Sequence, residues 1–218
     1  MTAPPPAANV LVNMTKSIEL LDKVRNHIVE GFVRMTAGGV LGDEPLRGVR
    51  VNLVDAKIHS DSAHRGASQI SAATVRALRA GLFTATPSLL EPLYFVEIEV
   101  PSHCNEAMDG VFSTFGMVRG EVLKVEDRSD CGIPLSRISG EVPIVETLRK
   151  EQRSGFTELL RQKTKGTAFA VMRFSRWKRV EGDPLTDGTM ANELVLALRK
   201  RKGFKLEMPS FHDFHDKI

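Results

Sequence analysis

Cysteine is nearly absent: Cys104 and Cys131 are the two in 218 residues, too few for a disulfide scaffold or a four-ligand zinc site. Both read as reduced thiols. Long apolar runs are missing as well. The longest stretches, such as Pro92 to Val100, are interrupted by Glu97 and Glu99 and fall short of the ~20 residues a membrane helix needs. The first nine residues hold Pro4, Pro5 and Pro6 but no basic region or apolar run, so they do not form a secretory signal, and an intracellular, cytoplasmic location is expected. No Gly-Lys dipeptide occurs, which removes the phosphate-binding loop of nucleotide hydrolases; Gly38, Gly39 and Gly48 read as turn residues. The formal charge of +3 is too small to define a nucleic-acid partner unless the basic residues are clustered. What remains is an ordinary globular balance, 42% hydrophobic and 26% charged, which the length divides into one large domain or two small ones.

The apolar spacing predicts a helix in which Ser17 is the cap, Ile18, Leu21, Val24 and Ile28 form the buried stripe, and Gly31 is the stop. A glycine-rich loop, Thr36 to Pro45, precedes a half-buried strand over Val49 to Ile58. A polar turn, His59 to Gly66, then leads into a helix from Ser68 to Leu82. The Thr86-Pro87 and Glu91-Pro92 pairs mark a new unit beginning near Leu89. Its elements read as strand Leu93–Val100, helix Asn105–Phe115, strand Glu121–Glu126, strand Leu135–Val142, helix Glu146–Lys163 and strand Ala168–Trp177. That βαββαβ order is the ferredoxin-like arrangement. A helix over Met190 to Lys202 and a short segment after Pro209 complete the chain.

Few residues suggest bond-making chemistry. His59, Asp61 and His64 offer metal-ligating atoms, but no third His or Cys lies nearby, so a metal site is the weakest reading of this loop. Phe211-His-Asp-Phe-His-Asp216 repeats both His and Phe at three-residue spacing, which reads as a tail docking two aromatics with its polar side in water. Basic residues are more suggestive. Arg199, Lys200, Arg201 and Lys202 close the last helix, where cations also complement the helix dipole. Arg47, Arg50, Lys57, His64 and Arg65 surround one strand and its loop, and Lys163, Lys165, Arg173, Arg176, Lys178 and Arg179 crowd the end of the second unit. Such patches suit phosphate contact, and a solvated charged face is the competing reading. Base stacking on the ferredoxin-like sheet is disfavoured, because Leu135 to Val142 carries no aromatic residue.

The run Leu53-Val-Asp-Ala-Lys-Ile-His-Ser-Asp-Ser-Ala-His-Arg-Gly66, with its H-x-D-x-x-H-R-G pattern, resembles the tip of the fourth domain of archaeal and eukaryotic elongation factor 2, of the translation-factor GTPase family. The similarity includes Asn9–Lys16, Val29–Phe32, Leu90–Ile98, Arg119-Gly-x-Val122, Gly155–Arg161, Ala168-Phe, Trp177, Gly182-Asp-Pro184, Arg199–Gly203 and Asp216-Lys-Ile218. The resemblance implies an α+β chain: a disordered N-terminus over residues 1–8, and the later part of domain four over 9–88 as a partial ribosomal-protein-S5-like βαβ domain. Domain five follows over 89–180 as a ferredoxin-like domain, and 181–218 return to domain four. It implies a translocation factor that moves tRNA and mRNA, whose loop His59, Asp61, His64, Arg65 and Gly66 reaches the ribosomal decoding region. His64 occupies the position converted to diphthamide. The implied partners are the ribosome (ribosomal RNA, tRNA and mRNA) and the diphthamide-synthesis enzymes, with no membrane. No cofactor is implied here; GTP and magnesium belong to an N-terminal domain that this chain lacks, so no catalytic activity is expected of it alone.

An RNA-scaffolding paralogue, related to the spliceosomal or ribosome-maturation GTPases, is the alternative; the full His59-x-Asp61-x-x-His64 pattern and the Asp216-Lys-Ile ending favour the translation factor. Two departures stand out. Where the family continues with glycines, this chain has Ala67 and Ser68, whose Cβ atoms are expected to restrict the loop. Extra charged residues over Glu146 to Arg153 predict a longer helix or a surface bulge.

Overall fold

The computed structural model describes residues 8–128, 132, 134–147 and 155–214. Cys131, the extra charged residues beyond Thr147, and the His215 to Ile218 ending lie outside them, as does the N-terminal segment before Ala8. The chain divides into two units: Leu90–Arg179 forms one, and the chain up to Leu89 together with that from Val180 onward forms the other.

The discontinuous unit is built on a parallel β-α-β element. Strands β1 (Val10–Asn13) and β2 (Arg50–Leu53) pair in register from Val10↔Arg50 to Asn13↔Leu53. Helix α1 (Leu21–Ala37) connects them and buries Leu21, Val24, Phe32 and Met35. Helix α2 (Ala67–Thr84) packs against α1. Two expectations are corrected here. Ser17 does not cap α1, which begins after Leu20 in a left-handed conformation (φ 67°) without a side-chain cap. Nor does Gly31 end it. A Cβ there would sit 2.7 Å from Thr74 Cβ and 2.9 Å from the Ser71 carbonyl oxygen, so glycine is the residue that lets α1 and α2 approach closely. The ~1 kcal/mol of helix propensity that glycine sacrifices is offset by that packing, and the stop comes at Gly38, whose N–H donates to the Met35 carbonyl.

Strand β2 is shorter than the alternation over Val49 to Ile58 predicts. A strand persists only as far as its partner, and β1 ends at Asn13, so Val54 is left 68% exposed despite its place in the pattern. Helix α6 (Met190–Lys202), numbered last in chain order, has the predicted bounds. The Thr189 hydroxyl accepts from the Asn192 N–H at 3.1 Å, and Gly203 closes the helix in the left-handed region (φ 74°). Ala191, Val195 and Arg199 are its buried stripe, at four-residue spacing. The tail ends in a 3-10 turn, Phe211–Asp213, with a capping box at Ser210. Phe214 stacks on Phe83 of α2 (ring centroids 5.8 Å apart), under the Arg79 guanidinium, while His212 and Asp213 face solvent.

The continuous unit contains β3 (Leu90–Pro101), α3 (Asn105–Met117), β4 (Glu121–Asp127), β5 (Leu135–Pro143), α4 (Ile144–Thr147), α5 (Phe156–Lys163) and β6 (Phe169–Arg179). The sheet is antiparallel, in the order β4-β5-β3-β6. With two helices crossing over, this is the ferredoxin-like topology, and the chain as a whole is α+β. One face of the sheet packs Val96, Ile98, Val100, Ile138 and Val142 against Val111 and Phe115 of α3 and Phe156 and Leu160 of α5. Gly140 makes room for the Phe115 ring, since a Cβ there would lie 2.5 Å from it. The helix expected over Glu146 to Lys163 is not continuous. Gly155 is extended (φ −64°, ψ 170°) immediately before α5, so a separate helix starts at Phe156.

Candidate nucleic-acid interface

The loop between β2 and α2 carries His59, Asp61, His64, Arg65 and Gly66, all exposed except the half-buried Arg65. Its shape is held from within, and Asp61 is the centre. The Asp61 Oδ1 accepts from the Ala63 N–H at 3.0 Å, capping a 3-10 turn over Ser62–His64. The Asp61 N–H donates to His59 Nδ1 at 3.1 Å, so the neutral His59 ring carries its proton on Nε2. The Asp61 carbonyl accepts from the His64 N–H at 3.3 Å and from Arg65 Nε at 3.4 Å. The His59 and His64 rings meet edge to face with centroids 4.6 Å apart. An Asx-type turn of this kind fixes a short loop without burying it, which leaves imidazole and guanidinium groups facing solvent on a firm backbone.

Gly66 takes an extended conformation (φ −62°, ψ 150°) and its carbonyl receives the N–H groups of Gln69 and Ile70 at 3.1 Å, beginning α2. Ala67 and Ser68 therefore lie in the first turn of a helix, where a Cβ is no hindrance. The expected restriction of the loop by these two residues does not arise, because the backbone there is already helical. Among the described residues no group of three or more His, Cys, Asp or Glu is placed to hold a metal ion. His59, Asp61 and His64 are sequence neighbours with no further ligand beside them.

The basic residues divide sharply. Arg199 is 8% exposed and is used internally: Nε donates to the Lys205 carbonyl at 2.7 Å, Nη1 to Leu41 at 2.8 Å and Nη2 to Glu207 at 3.2 Å. Lys202 donates to the Gly42 and Asp43 carbonyls, both at 2.9 Å, and pairs with Glu44. The expected four-residue basic patch is thus corrected: α6 turns Arg199 inward to tie down the 39–44 loop and the tail, while Lys200 and Arg201 face solvent. On the ferredoxin-like unit, Arg173 pairs with Glu97, Arg176 with Glu141, Lys178 with Glu121 and Lys165 with Glu106. These carboxylates come from other strands and from α3, and their pairing was not visible in a run of cations. Lys163 and Arg179 are exposed.

Two of the ion-pair groups are partly buried. Glu141, nearly enclosed on the sheet, accepts from Arg176 Nη2 at 2.7 Å and from the Ser175 hydroxyl at 2.7 Å. The Arg176 hydrogen bonds hold the Glu141 carboxyl below its ordinary value of 4.5, against the opposing effect of burial and with help from Ser175. Arg119, in the turn before β4, forks onto both oxygens of Glu91 (3.2 and 2.9 Å) and donates Nε to Glu146 at 2.9 Å. Burial works against its charge, but these bonds outweigh it and raise the guanidinium above its ordinary range.

Among the described residues no helix is long and apolar enough to cross a membrane. The class these features define is a translation elongation factor, in its C-terminal region. Two models of one family match the chain in order, Elongation factor G, domain IV, over residues 2–86 and Elongation factor G C-terminus over residues 88–187. Together they span most of the chain, which belongs to the elongation factor G family.

Proposed function

We propose that this chain is the ribosome-contacting part of a translocation factor of the elongation factor 2 type, and that its His59 to Arg65 loop enters the decoding region beside tRNA and mRNA. The observation that carries the reading is the loop itself: His64 is exposed and Arg65 half-exposed at the end of a turn whose backbone is fixed by Asp61. Positioned cations contact phosphate through charge and need no base-specific surface. The loop's role is to hold its neighbours in place, with GTP hydrolysis belonging to a domain outside this chain. His64 is the diphthamide candidate, since its ring is accessible and a modification there would extend a cationic group beyond the loop. Cytoplasmic ribosomes are the proposed site of action.

The test is co-sedimentation of the chain with ribosomes across a salt series. Binding that weakens with salt, and weakens further in His64→Ala and Arg65→Ala, supports the reading; binding indifferent to both substitutions refutes it. The mass of the Ile58 to Arg65 tryptic peptide, taken from the protein's own organism, tests the modification. An unmodified mass refutes it.

A further inference from the structure

The two edges of the ferredoxin-like sheet differ. Strand β4 is interrupted by a bulge between Val122 and Lys124, and Lys124 and Glu126 point from it onto the open face, the devices that keep an edge from pairing. Strand β6 pairs with β3 along one side and has a free edge on the other, and its first part, Phe169 to Phe174, has neither bulge nor proline. Ala170 and Met172 pack into the core, so Phe169, Val171 and Arg173 alternate onto the opposite face. They are 76%, 67% and 65% exposed. The acids and bases beside them are matched with one another: Glu97 with Arg173 and Arg137, and Glu99 with Arg137. A surface whose charges are already matched offers little to a phosphate backbone, and what it leaves uncovered is apolar.

We propose that the free edge of β6 pairs antiparallel with β6 of a second copy of this chain, centred on Val171. The sequence is self-complementary in that register. Val171 meets its counterpart at the two-fold axis, and Phe169 of each copy lies opposite Arg173 of the other. Arg173 already lays its guanidinium over the Phe95 ring, 4.6 Å from its centroid. The second copy's Phe169 would cover the other side of that cation, giving the same contact twice across the axis. No like charges oppose each other between residues 169 and 173 in this pairing. An edge of this kind, long and flat with exposed apolar side chains, is the kind that recruits another strand.

Sedimentation velocity of the full chain, from micromolar to submillimolar concentration, tests the proposal. The expected result is a monomer–dimer equilibrium that Val171→Lys weakens roughly tenfold or more by placing two ammonium groups at the axis. Val125→Lys, on the other edge strand, should leave it unchanged. Both positions are exposed, and circular dichroism checks that the variants fold. Independently, amide exchange in the unsubstituted chain should slow across Ala170 to Arg173 as concentration rises. A chain monomeric throughout, a dimer that survives Val171→Lys or is lost equally with Val125→Lys, or exchange indifferent to concentration overturns the proposal.

Discussion

Replacing Arg119 by methionine should damage the ferredoxin-like unit more than any surface charge change. The guanidinium is 26% exposed, whereas the Glu91 and Glu146 side chains it binds are only 11% and 5% exposed. Removing the cation from a buried pair costs ~3–5 kcal/mol because the carboxylate stays behind in poor solvent, and the partial exposure of Arg119 reduces this to ~2–4 kcal/mol. Arg119→Lys keeps the charge but not the fork that reaches both Glu91 oxygens and Glu146 together, so about 1–2 kcal/mol should be lost. Glutamines at 91 and 146 in the methionine background should recover part of the deficit, since no buried charge is then left behind. Trp177, the only tryptophan, lies on β6 of the same unit and reports its unfolding by fluorescence. With a urea dependence of ~1.5 kcal/mol per molar, the Arg119→Met midpoint should fall by about 1.5–2.5 M. A midpoint within ~0.3 M of the parent, or a lysine variant as weak as the methionine one, would refute the reasoning.

Glu141 should contribute to acid sensitivity. Its carboxyl is held below 4.5 in the folded chain, so its stabilisation is complete above the unfolded value and lost as pH falls through the folded one; urea midpoints below pH 5 should decline less steeply in Glu141→Gln. Arg199→Ala should cost ~2–4 kcal/mol by thermal unfolding, since three backbone carbonyls lose a charged donor, while Arg201→Ala should stay within ~0.5 kcal/mol. Equal effects would mean that Arg199 is not a structural tie. Phe214→Ala should weaken tail docking by about 1 kcal/mol, seen as faster amide exchange from Phe211 to Phe214; unchanged exchange would count against the Phe83 stack.

The sequence was most legible where a structure is decided locally. Helix α6 has its predicted limits because Thr189 and Gly203 supply both caps, and the ferredoxin-like order emerged from strand alternation and helical spacing within one stretch of chain. Loop residues His59 to Gly66 were recognisable as a pattern, though not the way Asp61 organises them. What escaped was set at a distance. Gly31 read as a stop because its reason lies in Ser71 and Thr74, some forty residues later in the chain. The length of β2 depends on where β1 ends. Arg199 read as a free cation because the carbonyl of Leu41, which it binds, carries no side-chain signature at all.

Helix α2 begins immediately after the His59–Gly66 loop and runs for 18 residues, ~27 Å at 1.5 Å per residue. The loop is therefore carried like the point of a rigid arm, and its aim is set where that arm is gripped. Gly31 meets Ser71 and Thr74, in the first half of α2. A single missing methyl group, far from any residue that touches a partner, thus governs the direction in which His64 and Arg65 point.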